Sequence, residues 1–158
     1  MPSCIHQEES VEYMTTDHEQ LIQAIGDAVV VAGTDGTIVL WNPAATRIFG
    51  FTEDEAMGRP LDLIIPERQR GRHNEGYAKT VATGTTRYGT TLLRVPALHK
   101  DGRRLSIAFS VALLTGEDGA VSGVAAVIRD ETARFGEEQA LRKQIAELEA
   151  ALRARETN

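Results

Sequence analysis

Hydrophobic and polar positions along this chain follow two different periods, which predict separate helical and extended segments. Near the N-terminus, apolar and semi-polar side chains recur at steps of three and four, as on one face of a helix: Val11, Met14, His18, Leu21 and Ile25. Gly26 ends this predicted helix. Two runs rich in β-branched residues follow, at 28–32 and 37–41, and the Asp35-Gly36 turn between them predicts a β-hairpin.

A helical region is predicted in the middle of the chain. Asn42 and Pro43 end the hairpin and begin a short helix that Gly50 terminates. Residues 52–55, Thr-Glu-Asp-Glu, form a capping box that opens a second short helix. Residues 66–84 begin with a proline, end with a glycine and predict a longer polar helix.

The second half of the chain changes to a period of two, which is typical of strands. One long strand is predicted from Arg87 to Leu98, a second over 105–113 and a third over 120–128, with Asp-Gly turns between them. We expect an apolar set from the last two strands to lie on the outer face of the sheet: Val124, Ala126, Ile128, Ala108 and Ala112. An exposed face of this kind predicts an interface.

The C-terminal segment carries apolar residues in two short heptads, which predict a coiled coil: Leu141, Ile145, Leu148 and Leu152. The whole order is helix, two strands, several short helices, three antiparallel strands and a final helix. This order predicts an α+β fold, with helices packed on an antiparallel sheet.

Composition argues against several functions. The chain has 17 Lys and Arg against 23 Asp and Glu, a net charge of -6, and no basic stripe, so we do not expect nucleic-acid binding. Its only cysteine, Cys4, can form neither an intramolecular disulfide nor a cysteine-based metal cluster. No signal peptide and no stretch of about 18 apolar residues is present, so we expect a cytoplasmic protein that is not bound to a membrane. No catalytic triad or phosphate-binding loop is discernible, so enzymatic activity is not expected.

Several short motifs occur together in this chain: Trp41-Asn42-Pro43-Ala44-Ala45, Phe49-Gly50-Phe51, Gly58-Arg59-Pro60, Lys100-Asp101-Gly102 and Arg129-Asp130-Glu131-Thr132. Taken as a set, they resemble the PAS family. The resemblance implies a PAS fold, a five-stranded antiparallel sheet with short helices on one face, flanked by N- and C-terminal helices. It divides the chain into an N-terminal helical cap at 1–20, a sensor domain at 21–134 and a C-terminal coiled-coil signalling helix at 135–158.

The resemblance also implies a signalling role for Asp130 and Thr132, which join the last strand to the output helix. Asp130 would be a charged hinge at the start of that helix, where an acid favours the positive end of the helix dipole. The alternative is that Asp130 is only an N-cap residue.

The stretch 65–73 resembles the long helix of oxygen-sensing haem PAS proteins, in which His73 would be the proximal iron ligand. The resemblance implies haem b in a site formed by His73, Tyr77, Leu92, Arg94, Ile107 and Val127. Tyr77 follows His73 by four residues, where those relatives have a tyrosine after three, and Leu92 falls where they have a distal arginine. Because Leu92 gives bound oxygen no hydrogen bond, such a haem would favour carbon monoxide or nitric oxide, unless Arg94 enters the site. The alternative is that His73 is a surface or structural histidine.

Two functions therefore remain possible, together with a third that differs from the first only in its cofactor. The first is a haem-binding gas sensor, and the second is a ligand-free module for dimerisation or protein interaction. The third is a flavin-binding redox sensor without a cysteine adduct, because Cys4 lies outside the sensor domain. We expect a homodimer held by the N-terminal helix and the outer sheet face, and a downstream signalling protein in trans. Trp41 is expected in the core, and His99 is expected to be exposed to solvent.

Overall fold

The computed structural model describes residues 17–156, and a five-stranded antiparallel sheet lies at its centre. The strands are β1 (Ala28–Gly33), β2 (Ile38–Trp41), β3 (Leu93–Leu98), β4 (Arg104–Thr115) and β5 (Val121–Asp130). Their spatial order is β2-β1-β5-β4-β3, and each neighbouring pair is antiparallel. This arrangement confirms the predicted α+β class, including the hairpin between β1 and β2.

The helices also follow the predicted order. They are α1 (His18–Ala24), α2 (Pro43–Phe49), α3 (Glu53–Ala56), a 3-10 helix (Leu61–Ile64), α4 (Glu67–Thr83) and α5 (Thr132–Glu156). The capping box at 52–55 is present, because the Thr52 and Glu55 side chains each accept a hydrogen bond from the other's backbone N–H. Gly84 ends α4 in the left-handed conformation, with φ of 65°. No helix of the described residues is long and apolar enough to cross a membrane.

The core lies between one face of the sheet, which we call the inner face, and the short helices. Trp41 is 1% exposed, and its ring lies 5.5 Å from that of Phe49 on α2. The indole Nε1 donates to Oγ1 of Thr46 and to the carbonyl of Phe51, both at 3.1 Å. The prediction that Trp41 is a core residue is therefore confirmed.

One buried polar side chain, Asn42, connects α1, β1 and α2. Its Oδ1 accepts hydrogen bonds from the backbone N–H groups of Val29 at 2.9 Å and Ala45 at 3.0 Å. Its Nδ2 donates to the carbonyls of Ile22 and Asp27, both at 3.1 Å. The side chain therefore caps α2 and also holds the segment that enters the sheet.

The entry and exit of the sheet lie side by side. Ala28, the first residue of β1, is opposite Ile128 near the end of β5. Beyond this pair, Arg129 donates to both carboxylate oxygens of Asp27, at 3.1 and 2.7 Å. These hydrogen bonds and the positive charge of Arg129 lower the pKa of Asp27, so the carboxylate stays ionised.

The prediction of the outer face is wrong for three of its five residues, which lie on the inner face. Ile128 is 3% exposed and belongs to the core, Val124 is also buried, and Ala126 packs against the core. Because Phe109 is opposite Ile128, their neighbour Ala108 lies on the other face of the sheet, together with Ala112. Strand alternation separates the two faces, but when both are apolar it does not show which one the helices cover.

Two other segments differ from expectation. Regular strand pairing in β3 begins at Leu93 and not at Arg87, and the preceding residues form turns, with the carbonyl of Tyr88 accepting from the N–H of Val111 at 3.1 Å. His99 is not exposed: its side chain is 15% accessible and packs against Gly50. Of the predicted N-terminal stripe, Val11 and Met14 lie outside the described residues.

Candidate functional site

A cavity of about 340 Å³ lies between α4 and the β1–β2 turn, and we call it the α4 pocket. Three segments line it: residues 34–36 of the turn, residues 60–62 at the start of the 3-10 helix, and His73, Asn74, Tyr77 and Ala78 of α4. The α4 side chains come from positions three and four apart, which lie on the same helix face. The pocket is therefore formed where the long helix α4 faces the hairpin turn.

Local hydrogen bonds build the rim of the pocket. Oδ1 of Asp35 accepts from the N–H of Thr37 at 3.0 Å, and Gly36 takes a φ of 81° that favours glycine. The carbonyl of Gly36 then accepts from the N–H of Leu61 at 3.1 Å. The N–H of Ile38 donates to the carbonyl of Arg59 at 2.8 Å. These bonds fix the 3-10 segment against the hairpin.

Tyr77 attaches α4 to the end of β1. Its hydroxyl donates to the carbonyl of Gly33 at 2.7 Å and lies 3.2 Å from that of Ala32. Burial, together with the negative charge of Asp35, raises the pKa of Tyr77 to about 12, so the phenol keeps its proton. No residue of α4 is fully buried, and this hydrogen bond is one of the attachments of the helix to the sheet.

His73 lies one helical turn before Tyr77, in the same pocket. The two rings are 5.9 Å apart, and Nδ1 of His73 is 3.1 Å from Oδ1 of Asn74. In the tautomer whose Nδ1–H donates to this amide oxygen, Nε2 of the ring keeps a free lone pair. His73 is therefore available as an acceptor or as a ligand through Nε2.

Two carboxylates, which we did not predict as site residues, complete the pocket. Asp35 comes from the hairpin turn, and Asp62 comes from the 3-10 helix. Oδ1 of Asp62 is buried and has no hydrogen-bond partner among the described residues. The Asp-Gly turn signal marked Asp35 as structural, and no local pattern in the sequence marked Asp62.

The structure does not bring the six predicted cofactor residues together. Only His73 and Tyr77 line the α4 pocket, and Ile107 lies in the core. Arg94 is opposite Ala108 on the outer face and pairs with Glu131 at 3.0 Å.

The remaining two predicted residues are both exposed. Val127, opposite Ser110 on the outer face, is 40% exposed, and Leu92, just before β3, is 48% exposed. Arg94 and Val127 therefore lie on the outer face, and their part in a cofactor site stays a prediction. At this end of β3 the inward residue is Leu93, opposite Phe109 and one position after the predicted Leu92.

A haem would need an apolar slot beside its iron ligand, and the surroundings of His73 do not provide one. The α4 pocket contains no residue of β3, β4 or β5, so His73 and the apolar inner face do not share this cavity. The two carboxylates in the lining would repel the anionic propionates of a haem. The donor atom fits iron, but the surrounding residues do not fit the macrocycle. Among the described residues, no group of three His, Cys, Asp or Glu side chains is placed to hold a metal ion.

The two predicted signalling residues form a compact junction at the start of α5. Oδ1 of Asp130 accepts from the backbone N–H of Thr132 at 2.9 Å and also from its hydroxyl. The same hydroxyl oxygen accepts from the N–H of Ser106 at 3.0 Å, and the N–H of Glu131 donates to the carbonyl of Ser106 at 2.8 Å. Asp130 thus has the acceptor role of a helix cap, and Thr132 connects α5 to β4.

The family model described as PAS fold matches residues 16–130 of this chain. Sensor protein FixL of Bradyrhizobium diazoefficiens is 32% identical over an alignment of 89 residues, and the match covers 48% of this chain and 18% of FixL. Oxygen sensor protein DosP of Escherichia coli is 26% identical over 125 residues, which are 79% of this chain and 15% of DosP. The chain spans less than a fifth of the length of the curated relatives it matches.

Solved structures share the fold. The PAS domain of a Colwellia psychrerythraea protein superposes with a TM-score of 0.63 and 23% identity, covering 73% of this chain and 95% of that domain. An RNA-binding Light-Oxygen-Voltage receptor gives a TM-score of 0.68 and 18% identity, covering 90% of this chain and 41% of the receptor. At these identities the likeness shows the fold alone.

Proposed function

Because this chain belongs to the PAS family, we propose that it is a sensory module that binds a small ligand in the α4 pocket and signals through α5. The observation that carries this proposal is the junction at Thr132, which ties the output helix to the sheet by side-chain and backbone hydrogen bonds. The pocket and the junction attach to the same sheet, the pocket at β1 through Tyr77 and the junction at β4 through Ser106. A change at α4 is thereby passed to α5 through β5, which pairs with β1 on one side and with β4 on the other.

The proposed receiver of the signal is a second copy together with a downstream protein in trans. The described part of α5 buries no residue, and its apolar stripe is open to solvent: Leu141, Ile145, Leu148 and Leu152. Such a stripe on a long helix is completed by another helix in a coiled coil. We therefore assign the homodimer contact to α5.

Coupling between the pocket and α5 can be measured with a double-mutant cycle. Tyr77→Phe removes the hydroxyl that holds α4 to β1, and Thr132→Val removes the hydroxyl that holds α5 to β4. We expect the two effects on amide hydrogen exchange in the first turns of α5 to be non-additive by about 0.5–2 kcal/mol. The free-energy effects of substitutions at distant, independent sites are additive to within about 0.3–0.5 kcal/mol.

Thr83→Val is the matched control, because the Thr83 hydroxyl donates to the carbonyl of Lys79 within α4 and otherwise contacts only the hydroxyl of Thr85 in the following loop. When Thr83→Val is combined with Thr132→Val, their effects on amide hydrogen exchange in the first turns of α5 should be additive. Additive effects of Tyr77→Phe and Thr132→Val would contradict the proposed relay, that is, the coupling of the α4 pocket to α5 through the sheet. That result would favour the ligand-free interaction module.

Haem bound by His73 is a second candidate for the ligand. The support is the similarity to the oxygen sensor protein DosP, the resemblance of the α4 sequence to haem PAS helices, and the uncommitted Nε2 of His73. The carboxylates of the pocket argue against it. This candidate is separate from the relay, which requires only that some ligand occupies the pocket.

Absorption spectroscopy tests the haem candidate directly. If His73 is the ligand, the full chain from haem-supplied cells shows a Soret band, and His73→Ala shifts or abolishes it. His18→Ala is the control, because His18 is an exposed helical histidine away from the pocket. A protein that takes up no haem, or a spectrum that His73→Ala leaves unchanged, removes this candidate. Flavin absorption in the purified protein would instead support the flavin alternative.

A further inference from the structure

The long helix α4 presents a mostly polar side to the rest of the molecule. It has 17 residues, and in the described structure none of them is buried. Its half-buried side chains recur at steps of three and four, so they lie on one face of the helix. Only two of them are largely apolar, Tyr77 and Val81, and the others are Gln69, Arg70, His73 and Thr80. The hydrophobic effect therefore contributes little to holding this helix in place.

Two internal glycines lower the stability of α4 further. Gly71 and Gly76 lie inside the helix, where glycine is less favourable than alanine because it loses more conformational freedom. Among the described residues, a Cβ at either position would meet no atom within 4 Å outside its own stretch of the helix. Close packing therefore requires neither glycine. The free N–H groups of the first turn have no side-chain cap in the described part of the chain.

The segments on either side of α4 are anchored separately from it. Pro66, directly before the helix, is buried. After the helix, the carbonyl of Tyr88 accepts from the N–H of Val111 on β4 at 3.1 Å. Between these two anchors, the hydroxyl of Tyr77 connects α4 to β1 through the carbonyl of Gly33. The residues between the anchors can therefore lose their helical structure while the sheet stays folded.

The apolar inner face of the sheet is only partly covered in this region. The helix α4 lies against β5, and on the next strand Phe109, Val111 and Leu113 belong to the inner face. Each of these three residues is only half-buried with α4 in place. Because this part of the sheet is never fully covered, removing α4 from it exposes little additional apolar surface.

From these observations we infer that α4 is a lid that opens by local unfolding between Pro66 and Tyr88, with the Tyr77 hydroxyl as its latch on β1. Segments that bury few apolar contacts open at a lower cost in free energy than core strands do. One wall of the α4 pocket belongs to the lid, so the pocket exists only while the lid is closed. The inference goes beyond the proposed function, because the lid opens without any ligand.

Amide hydrogen exchange of the full chain, measured residue by residue by NMR with no ligand added, tests the lid. The comparison is between the interior amides of α4, at 72–82, and those of β5, at 124–128, a strand that is paired on both sides. We expect the protection factors in α4 to be lower than those in β5 by about tenfold or more. Protection factors in α4 within about tenfold of those in β5 would overturn the inference.

A core variant distinguishes local opening from unfolding of the whole domain. Ile128 is 3% exposed and pairs with Ala28, at the opposite end of the β1–β5 ladder from Gly33, where Tyr77 attaches the lid. We expect Ile128→Val to accelerate exchange of the β5 amides by about two- to tenfold and to leave exchange of the α4 amides unchanged. Equal acceleration in both segments would show that α4 opens only when the whole domain unfolds, and would contradict the lid.

Glycine substitutions test whether opening breaks the helix itself. Gly71→Ala combined with Gly76→Ala should slow exchange of the α4 amides by about five- to thirtyfold, because alanine favours the closed, helical state at both positions. Gly136→Ala is the matched control, since Gly136 lies inside α5 with equally open space around an added Cβ, and it should leave α4 exchange unchanged. Unchanged α4 exchange in the double alanine variant would contradict local unfolding of α4.

The latch is tested by Tyr77→Phe, which removes the hydrogen bond to the carbonyl of Gly33. Exchange of the α4 amides should become about two- to tenfold faster. Unchanged exchange in this variant would contradict the role of Tyr77 as the latch.

The lid and the relay can fail separately. Fast exchange in α4, in a chain where Tyr77→Phe and Thr132→Val have additive effects on α5, supports the lid and contradicts the proposed function. Non-additive effects of those two variants, in a chain where α4 is protected as strongly as β5, contradict the lid alone.

Discussion

At the scale of single residues, Asn42 has a larger structural role than any other described polar side chain. It is fully buried, and its amide makes four hydrogen bonds to backbone groups of three different segments. Asn42→Ala leaves two N–H groups and two carbonyls without these partners. We expect the free energy of unfolding, measured by urea denaturation, to fall by about 2–4 kcal/mol.

Asn74→Ala is the comparison for Asn42→Ala. Asn74 is exposed on α4, and we expect its replacement to change the free energy of unfolding by no more than about 0.5 kcal/mol. Equal losses for the two variants would show that the buried hydrogen bonds of Asn42 contribute little.

Part of the candidate site was accessible from the sequence at this scale. His73 and Tyr77 are four residues apart on a helix, so their common face follows from helical geometry alone, and both line the pocket. Asp62 was not accessible, because the burial of its oxygen depends on how the 3-10 segment hydrogen-bonds to the β1–β2 turn. The burial of that carboxylate oxygen therefore results from a tertiary contact and not from the local sequence.

At the scale of elements, the clearest prediction concerns the dimer contact of α5. Ile145 and Leu148 fall at a and d positions of its heptads, and Leu148 is 65% exposed in one copy of the chain. Leu148→Lys places a charge in the proposed seam between two copies. We expect the dimer dissociation constant, measured by sedimentation equilibrium, to rise at least tenfold.

Ala150→Lys provides the control for that experiment, since it introduces the same charge on an exposed α5 position outside the stripe. It should leave the association unchanged. A dimer that tolerates Leu148→Lys would move the interface away from α5, toward the N-terminal stripe that includes Val11 and Met14.

Element boundaries depended on how clear the local signals were. The hairpin and the capping box at 52–55 were predicted, because an Asp-Gly turn and a Thr-to-Glu spacing act through neighbouring residues. The start of β3 was placed six residues too early, at Arg87 in place of Leu93. Residues 87–92 have no alternation of apolar side chains, and their polar character allows turns as readily as a strand.

At the scale of the whole molecule, the order of elements and the fold class followed from the sequence, whereas the orientation of the sheet did not. Both faces of β5 carry apolar residues, with Ile128 on one face and Val127 on the other. Only the docking of the short helices makes one of them the inner face. The predicted site residues taken from β3 and β5 were displaced for the same reason, because Arg94 and Val127 belong to the face opposite the short helices.

The side-by-side entry and exit of the sheet have a mechanical consequence. Because β1 starts where β5 ends, tension between the two flanking helices acts at one end of the β1–β5 ladder. The backbone hydrogen bonds would then break one after another, as in a zipper, and not all at once, as in shear. The ion pair between Asp27 and Arg129 stands at the opening of that zipper and is the first contact to bear the load. Traction from α5 would therefore peel β5 from β1 at low force, beginning at the residues next to the signalling junction.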